Sequence, residues 1–324
     1  MINTIKNDVE EIQEWVSALS LPRLSNYRSF FNAANSAEAL GLYHWNEDLS
    51  ALFFRLVCLI EIILRNRVHR VMSMRHGTVG TRESRDWYMH VALNPRSKAK
   101  IAEITHFRRG KQLLLRVPAK SPDDVISQLS FGFWPHLLHL REDITGQQLD
   151  WGQILIEIFP GHRQRHPTYW EKVKHRDVLF ARLDLCNDIR NRVAHHEPIW
   201  KLGPLIEESC RRAGRQPTLL AKAPSTPNES LARLQLLYER LVELLVWLNP
   251  RIAAQHQRGE AHARCCSMFK PQSLLAYRQS RLQINIDLAH IKSLKHLRKA
   301  LRYAKRRQQT ILLNDGHRKF GAVS

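Results

Sequence analysis

The chain has 324 residues, 44% of them hydrophobic and 25% charged, which excludes an intrinsically disordered or low-complexity protein. The formal net charge is +20, and residues 251–324 alone contain 16 Lys and Arg against 3 Asp and Glu. Such a basic surplus favours a polyanionic partner, of which nucleic acid is the commonest. Glycine and proline are scarce, at 13 and 14, and hydrophobic residues recur at spacings of three and four, which favours helix over sheet.

Three features bear on the compartment. The five cysteines are odd in number and two are adjacent, Cys265 and Cys266, so no disulfide framework is expected. The N-terminus is acidic and amphipathic, unlike a signal peptide. The most apolar run, Leu52–Leu64, contains charged residues and is too short to span a bilayer. We therefore expect a cytoplasmic protein.

Hydrophobic periodicity, capping residues and prolines predict the helices in chain order. The predicted helices are 4–19, a short one after Pro22, 45–74 with Asn46 as N-cap, 98–116, 121–140, 168–195, 203–213 and 229–248. The stretches 77–97 and 143–167 are predicted to be loops. We divide the chain into a helical domain, 1–250, and a basic C-terminal extension, 251–324, which includes an amphipathic helix within 288–307.

The stretch DIRNRVAHHEPIW, 188–200, carries the residues best suited to chemistry. Because Glu197 precedes Pro198, and a residue before proline is pushed away from helical geometry, the helix should end near His195. Residues five apart lie about 140° apart around an ideal helix. Arg190 and His195 therefore share a site only at a fraying helix end, or where two copies meet across a symmetric dimer.

An arginine and a histidine together suit metal-free cleavage of RNA. A histidine can take the proton from a 2′-hydroxyl or protonate the leaving 5′-oxygen. An arginine can hold the scissile phosphate and the added charge of the transition state. Asn191 can add a neutral hydrogen bond. The competing interpretation is a basic helix C-terminus, whose cations complement the helix dipole, and on spacing alone it is favoured.

Three blocks of the chain carry a family resemblance, and they are YHWNEDLSALFFRLVCLIEIILRNRV (43–68), VISQLSFGFWPHLL (125–138) and RNRVAHHEPIW (190–200). They resemble, in the same order, blocks of the Abi-like (abortive infection) family with a HEPN ribonuclease domain. The resemblance implies an all-α, HEPN-type helical bundle with extra helices, a homodimer that brings two motifs together, and metal-independent endoribonuclease activity without a cofactor. It also implies a role in halting the growth of phage-infected or stressed bacteria.

By position, Arg190 matches the family's motif arginine, Asn191 the polar residue that follows, and His195 the histidine. His196 is an alternative, since the family's spacing varies. The interpretation of the motif as catalytic rests on this resemblance and not on its spacing.

The stretch ILRNRVHR, 63–70, echoes the motif and offers supporting residues. A structural role is favoured, because its Arg and His are only four apart on a continuing helix, and Glu61 and Arg65 form an ordinary i,i+4 pair. If they are functional, Glu61 and Arg65 would line the same groove as Arg190; Asn66 is a further candidate.

Two other clusters have structural interpretations. The FGFW block, 131–134, is expected to be helix core and not a base-stacking surface. A zinc site is disfavoured because adjacent cysteines do not fit the usual spacing. Its candidate ligands would be His256, His262, Cys265 and Cys266.

The basic extension could be a solvated surface helix, a membrane-surface helix or an arm that holds RNA through its phosphates; the last is favoured, because anchoring aromatic residues are nearly absent. Its candidate RNA-binding residues are Lys292, Lys295, Lys299, Arg302, Lys305, Arg306 and Arg307.

The predicted function is thus a homodimeric endoribonuclease that cleaves RNA through the 2′-hydroxyl, in antiphage defence or toxin-like growth arrest. One alternative is a non-catalytic module that holds a structured or regulatory RNA, and another is a toxin that acts on a protein. No membrane partner is expected.

Overall fold

The fold is built around α3, a helix of 41 residues from Ser36 to His76. The computed structural model describes residues 2–138, 140–208, 216–278, 284–287, 291, 293–306, 311–314 and 319–322. Within these ranges it contains fourteen α-helices and only short strand pairings, which confirms the predicted all-α class. No helix in these ranges is both long and apolar enough to cross a lipid bilayer.

The helices have the following bounds: α1 (Ile2–Leu19), α2 (Leu21–Phe31), α3 (Ser36–His76), α4 (Pro95–Thr105), α5 (Pro122–Ser127), α6 (Phe133–Leu137), α7 (Trp151–Ile158), α8 (Pro167–Glu171), α9 (Val173–Ala194), α10 (Pro227–Leu248), α11 (Pro250–Arg258), α12 (Glu260–Met268), α13 (Pro271–Arg278) and α14 (Leu294–Arg306).

The strands form four small antiparallel or mixed sheets, β1–β2, β3–β4, β5–β6 and β7–β8–β9. Their bounds are β1 (Gly80–Thr81), β2 (Ser84–Arg85), β3 (His106–Arg109), β4 (Gln112–Leu115), β5 (Leu205–Ile206), β6 (Leu219–Ala221), β7 (Ile284–Asp287), β8 (Ile311–Asn314) and β9 (Lys319–Ala322).

Helix α3 begins at Ser36, nine residues before the predicted start at 45, so that boundary was wrong. Its N-cap is Asn35, whose side chain accepts the Glu38 N–H at 3.0 Å, while the Glu38 carboxylate accepts the Ala34 N–H in return. Asn46 is therefore not a cap. It lies in the helix interior, where its buried amide oxygen accepts the Ile199 N–H at 3.0 Å.

Gly41 explains why the first turns of α3 are hard to recognise in the sequence, since glycine disfavours a helix interior. Helix α13 crosses α3 at this point, and a Cβ on Gly41 would lie 2.0 Å from the carbonyl oxygen of Tyr277. The crossing is also held by an ion pair between Arg278 and Glu38 at 2.7 Å. The glycine thus permits close packing of two helices.

A single hydrophobic core surrounds α3 and continues across residue 250. Residues of α11, α12 and α13, including Ala253, Met268 and Leu274, belong to the same buried cluster as the middle of α3. The buried indole N–H of Trp45 donates to the carbonyl oxygen of Met268 at 3.2 Å. The division of the chain at 250 stays a prediction, and helices α11–α13 pack as part of the main body.

The FGFW block is buried as predicted: Phe131, Phe133 and Trp134 are all in the core. However, the predicted single helix over 121–140 was wrong, because α5 ends at Ser127 and α6 begins at Phe133. Phe131 lies in the turn before α6, and Phe133 and Trp134 lie in α6 itself, so the three buried rings come from the turn and one short helix.

Three further predictions of secondary structure were wrong. The predicted helix 98–116 ends at Thr105, because Gly110, at φ 63°, turns the chain into the β3–β4 hairpin. The predicted loop 143–167 contains α7, whose N-cap Asp150 accepts the Gln153 N–H at 3.0 Å. The predicted helix 168–195 is divided into α8 and α9 at Lys172.

The predicted helix 203–213 was wrong over its described part, 203–208, which contains the two-residue strand β5 and no helix; residues 209–215 lie outside the described residues. The predicted amphipathic helix of the extension is α14, although residues 288–290 and 292 lie outside the described residues. The strands β7–β9 on either side of it were not predicted.

The substitution Gly41→Ala should lower the free energy of unfolding by about 1–3 kcal/mol, the usual cost of overpacking, because the new methyl group meets the Tyr277 carbonyl. Gly132→Ala is the control: its Cβ would meet nothing within 4 Å, so stability should change by less than about 1 kcal/mol. Urea unfolding measures both. Equal stability of the two variants would contradict the close α3–α13 approach.

Candidate active site

Helix α9 ends in a Schellman motif built by two histidines. His195 is the C-cap, with φ −94° and ψ 8°, and His196 has the left-handed φ of 55°. The His196 N–H donates to the Val193 carbonyl at 3.1 Å, and the Glu197 N–H donates to the Arg192 carbonyl at 2.8 Å. The predicted end of the helix near His195 is confirmed, and both imidazoles are exposed.

The segment that follows α9 is anchored to the core. The Arg192 guanidinium donates to the carbonyl oxygens of Pro198 and Lys201, at 3.2 and 2.6 Å. Trp200 is buried and stacks on Phe30 with a ring separation of 4.6 Å. These contacts hold the C-terminal end of α9 against the core. Arg192 therefore has a structural role that the sequence analysis missed.

Asn46 and Arg23 complete the anchoring from two other helices. The Asn46 side chain accepts the Ile199 N–H, as described above, and Arg23 of α2 donates to the His196 carbonyl at 3.0 Å. Neither contact has a sequence signal, because both join residues more than 150 positions apart. The turn that presents His195 is therefore held by α2, α3 and α9 together.

Arg190 lies five residues before His195 and is half-buried. Its guanidinium donates to the Asn191 side-chain oxygen at 3.2 Å. In the part of the chain that the structure describes, no carboxylate lies within ion-pair distance of this guanidinium. Its positive charge is therefore not neutralised by a direct partner.

Two side chains of α3, Glu61 and Cys58, lie near Arg190. Burial raises the pKa of the Glu61 carboxyl, and the positive charges of Arg190 and Arg65 oppose that rise. Burial likewise raises the pKa of the Cys58 thiol, with Glu61 adding to it and Arg190 opposing it. The structure thus brings Glu61 close enough to Arg190 for their charges to interact.

Of the candidates from the 63–70 stretch, Arg65 lies near this group, because its charge also acts on the Glu61 carboxyl. The Arg65 guanidinium donates to the Ser127 carbonyl at 3.3 Å, and Asn66 is exposed. His69 is buried, and its Nδ1 accepts the indole N–H of Trp87 at 2.9 Å. Because an indole nitrogen only donates, the imidazole is neutral and its proton is on Nε2.

In that tautomer His69 cannot take a proton from the Ser84 hydroxyl, because the nitrogen that faces Ser84 already carries one. Its Nε2 lies 3.0 Å from the Ser84 hydroxyl and 3.4 Å from Asp123, so the Nε2–H donates to them. Burial lowers the pKa of His69, while Asp123 opposes that shift. The residue therefore joins α3, β2 and α5, the structural role that the sequence favoured.

The structure brings all four candidate zinc ligands together around Tyr238, because Cys265 also lies within hydrogen-bond distance of the Tyr238 side chain. The Tyr238 hydroxyl lies 3.0 Å from His256 Nε2 and 3.1 Å from His262 Nδ1, and Cys266 Sγ lies 3.6 Å from His262 Nε2. Among the described residues, no group of three His, Cys, Asp or Glu side chains is placed to hold a metal ion. Tyr238 occupies the position between the imidazoles.

Three of the basic candidates lie on one exposed face of α14. They are Lys295, Lys299 and Arg302, spaced at i, i+4 and i+7. Lys305 and Arg306 are in the last turn of the helix backbone, whereas Lys292 and Arg307 lie outside the described residues.

The buried neutral His69 should make the protein less stable in acid. Its folded pKa lies below the ordinary value of 6.5, so the unfolded chain binds a proton that the folded chain does not as the pH falls below 6.5. The stability advantage of the parent over His69→Gln should therefore shrink from pH 7 toward pH 5, as measured by urea unfolding. A constant advantage would contradict a neutral His69.

The region of the chain that matches a known family contains all three blocks described in the sequence analysis. A family model described as Abi-like protein matches residues 14–201, from α1 to the segment anchored behind α9. No curated protein and no solved structure is significantly similar to the chain. The matched region covers more than half of the 324 residues, so the chain belongs to the Abi-like protein family.

Proposed function

We propose that the protein is a metal-independent endoribonuclease of the HEPN type that acts in abortive infection. One observation carries the proposal: near the C-terminal end of one helix lie a guanidinium with no ion pair among the described residues and, at the C-cap, an exposed imidazole, and this helix end is anchored to the core. Membership of the Abi-like family supports the role in defence.

In the proposed reaction, the 2′-hydroxyl of the substrate attacks the adjacent phosphorus. His195 takes the hydroxyl proton or donates one to the leaving 5′-oxygen, so the products are a 2′,3′-cyclic phosphate and a free 5′-hydroxyl. Arg190 contacts the phosphate and stabilises its added charge in the transition state. Asn191, hydrogen-bonded to Arg190, orients the guanidinium.

The geometry favours His195 over His196 as the catalytic histidine. His196 is in the left-handed conformation that glycine usually adopts at this position, and its carbonyl oxygen is bound by Arg23. Its main role is thus to end the helix. His195 has the ordinary right-handed backbone of a C-cap and an exposed ring.

We further propose that a second copy of the chain binds the face of α3 beside Arg190. Ile62 and Phe54 are exposed there, on the same helix as Glu61 and Cys58. Exposed apolar side chains around a partly buried ionic group are typical of an interface that is closed by a partner. A two-fold contact here would bring two Arg190–His195 pairs together.

The basic face of α14 would hold RNA by its phosphates and would not select a sequence. Phosphate contacts release counterions, so binding through this helix should weaken steeply with salt.

Cleavage of total bacterial RNA in EDTA tests the proposal. His195→Gln should lower the cleavage rate by about 100-fold or more, because a general acid–base group contributes at least that much. Arg190→Lys should lower it by about 100-fold as well, because a donor that stabilises transition-state charge contributes that much and lysine lacks the planar fork of arginine. The products of the parent should have cyclic-phosphate ends. His196→Gly is the matched control, since it removes a neighbouring imidazole and suits the left-handed backbone; its rate should stay close to that of the parent.

A non-catalytic RNA-binding module predicts a different result. In that case RNA would stay intact with all four proteins, and filter binding would give similar affinities. Growth arrest on expression should be lost with His195→Gln and retained with His196→Gly if cleavage is the function. Arrest by both variants without RNA cleavage would contradict the nuclease.

The proposed dimer face can be tested with two residues of equal exposure. Ile62 and Met74 are each 47% exposed on α3, but only Ile62 is next to the Arg190 face. Ile62→Asp should convert a dimer to a monomer in sedimentation experiments and lower cleavage at least about ten-fold, since a desolvated carboxylate opposes association. Met74→Asp should change neither. A parent that is monomeric at all concentrations would contradict the proposed face.

A further inference from the structure

A half-open cavity of about 720 Å³ lies at the other end of α9, where this helix meets α8, α10 and α12. Val178 lines it, twelve residues before Arg190, which places the two about 18 Å apart along the helix axis. The cavity has the size of a small-molecule site. It uses residues beyond 201, the end of the match to the Abi-like family.

The floor of the cavity is aromatic. His162, Tyr238, Trp247 and Phe269 line it and are buried, and Tyr169 contributes a half-buried wall. The His162 ring lies 4.8 Å from Trp247 and 5.6 Å from Tyr169. The Tyr238 ring is fixed because two imidazoles bind its hydroxyl. Tyr238 already stacks on His262 and Tyr169 on His175, so each ring leaves one face for a planar ligand, and Tyr169 is the more exposed of the two.

The polar groups lie at the rim. Glu243 is neutralised by the buried Arg182, at 2.8 Å, and Arg182 also pairs with Glu208 at 3.0 Å. Two charges remain without an ion pair among the described residues, Arg163 and Glu239. Among the described residues, the Glu239 carboxylate accepts one hydrogen bond, from the Gln235 side-chain N–H at 2.8 Å.

The loop that carries Arg163 is held firmly at the mouth. The Gly161 N–H donates to the Trp247 carbonyl at 2.8 Å, and a Cβ on Gly161 would lie 1.8 Å from the Val246 carbonyl oxygen. This close approach requires glycine, and it turns Arg163 and Arg165 outward as exposed cations beside the aromatic floor.

We propose that this cavity binds a small planar heteroaromatic molecule that carries N–H donors on its ring and an anionic group, the class to which mononucleotides belong. The ring stacks on the aromatic floor, and its N–H groups donate to Glu239 and to the rim carboxamide of Gln257. The anionic group contacts Arg163, with Arg165 beside it. In this arrangement the anionic group of the ligand pairs with Arg163, and the N–H donors of its ring pair with the Glu239 carboxylate.

Calorimetric titration of the full chain with AMP and GMP tests the proposal, with adenosine and inorganic phosphate as partial ligands. A mononucleotide should bind at least about ten-fold more tightly than either part alone, since it uses both the floor and the arginine. Arg163→Ala should weaken nucleotide binding about ten-fold and leave adenosine unchanged. Arg108→Ala, an exposed arginine on the β3–β4 hairpin, is the matched control and should have no effect.

A second variant tests binding in the cavity without changing any charge. Val178→Trp fills the cavity from α9 and should abolish binding, with folding checked by circular dichroism. Arg190→Ala should leave the affinity unchanged, so the proposed nuclease centre is tested separately. The proposal is overturned if neither nucleotide binds at millimolar concentration. It is also overturned if binding survives Val178→Trp and is lost with Arg190→Ala, because the nucleotide would then occupy the nuclease centre.

Discussion

The hydrogen bond from the Ile199 N–H to the buried Asn46 side chain ties the segment after α9 to the first third of α3, and the candidate active site depends on it. A buried polar group without its partner costs about 1–3 kcal/mol, so this contact strongly restricts where the chain after α9 can run. With Trp200 packed against Phe30 and Arg192 bound to two carbonyl oxygens, the exit path is fixed. The Schellman turn at His195 and His196 then follows from the path of the chain on both sides.

Helix α9 presents different chemistry at its two ends. At the C-terminal end, Arg190 lies near the Glu61 carboxyl of α3 and His195 is exposed at the C-cap, a setting suited to a phosphodiester and proton transfer. At the N-terminal half, Val178 and Arg182 border an aromatic cavity closed by helices outside the region matched to the family. One rigid helix thus connects the proposed nuclease centre with the proposed ligand site, and packing of α10–α12 links both to the common core.

Local signals in the sequence were sufficient for the end of α9, because Pro198 excludes a helical Glu197. The burial of the FGFW block was likewise predicted, because an aromatic cluster of this kind is usually helix core. The start of α3 was not, since Gly41 resembles a helix breaker until Tyr277 is seen packed against it. Asn46 was mistaken for a cap because its partner, Ile199, is distant in sequence. The tautomer of His69, set by Trp87, and the rim charges around Tyr238 also depend on long-range packing, so periodicity does not reveal them.

The central claim is that the substrate's own 2′-hydroxyl is the nucleophile at the Arg190–His195 centre. The most direct measurement uses one RNA oligonucleotide cut at a mapped position in EDTA, and the same oligonucleotide with a single 2′-deoxy nucleotide on the 5′ side of that position. The account predicts that the deoxy substitution abolishes cleavage at that bond, while cleavage at other bonds continues. Equal cleavage of the two oligonucleotides at the mapped bond would show that another nucleophile attacks the phosphate and would contradict the account.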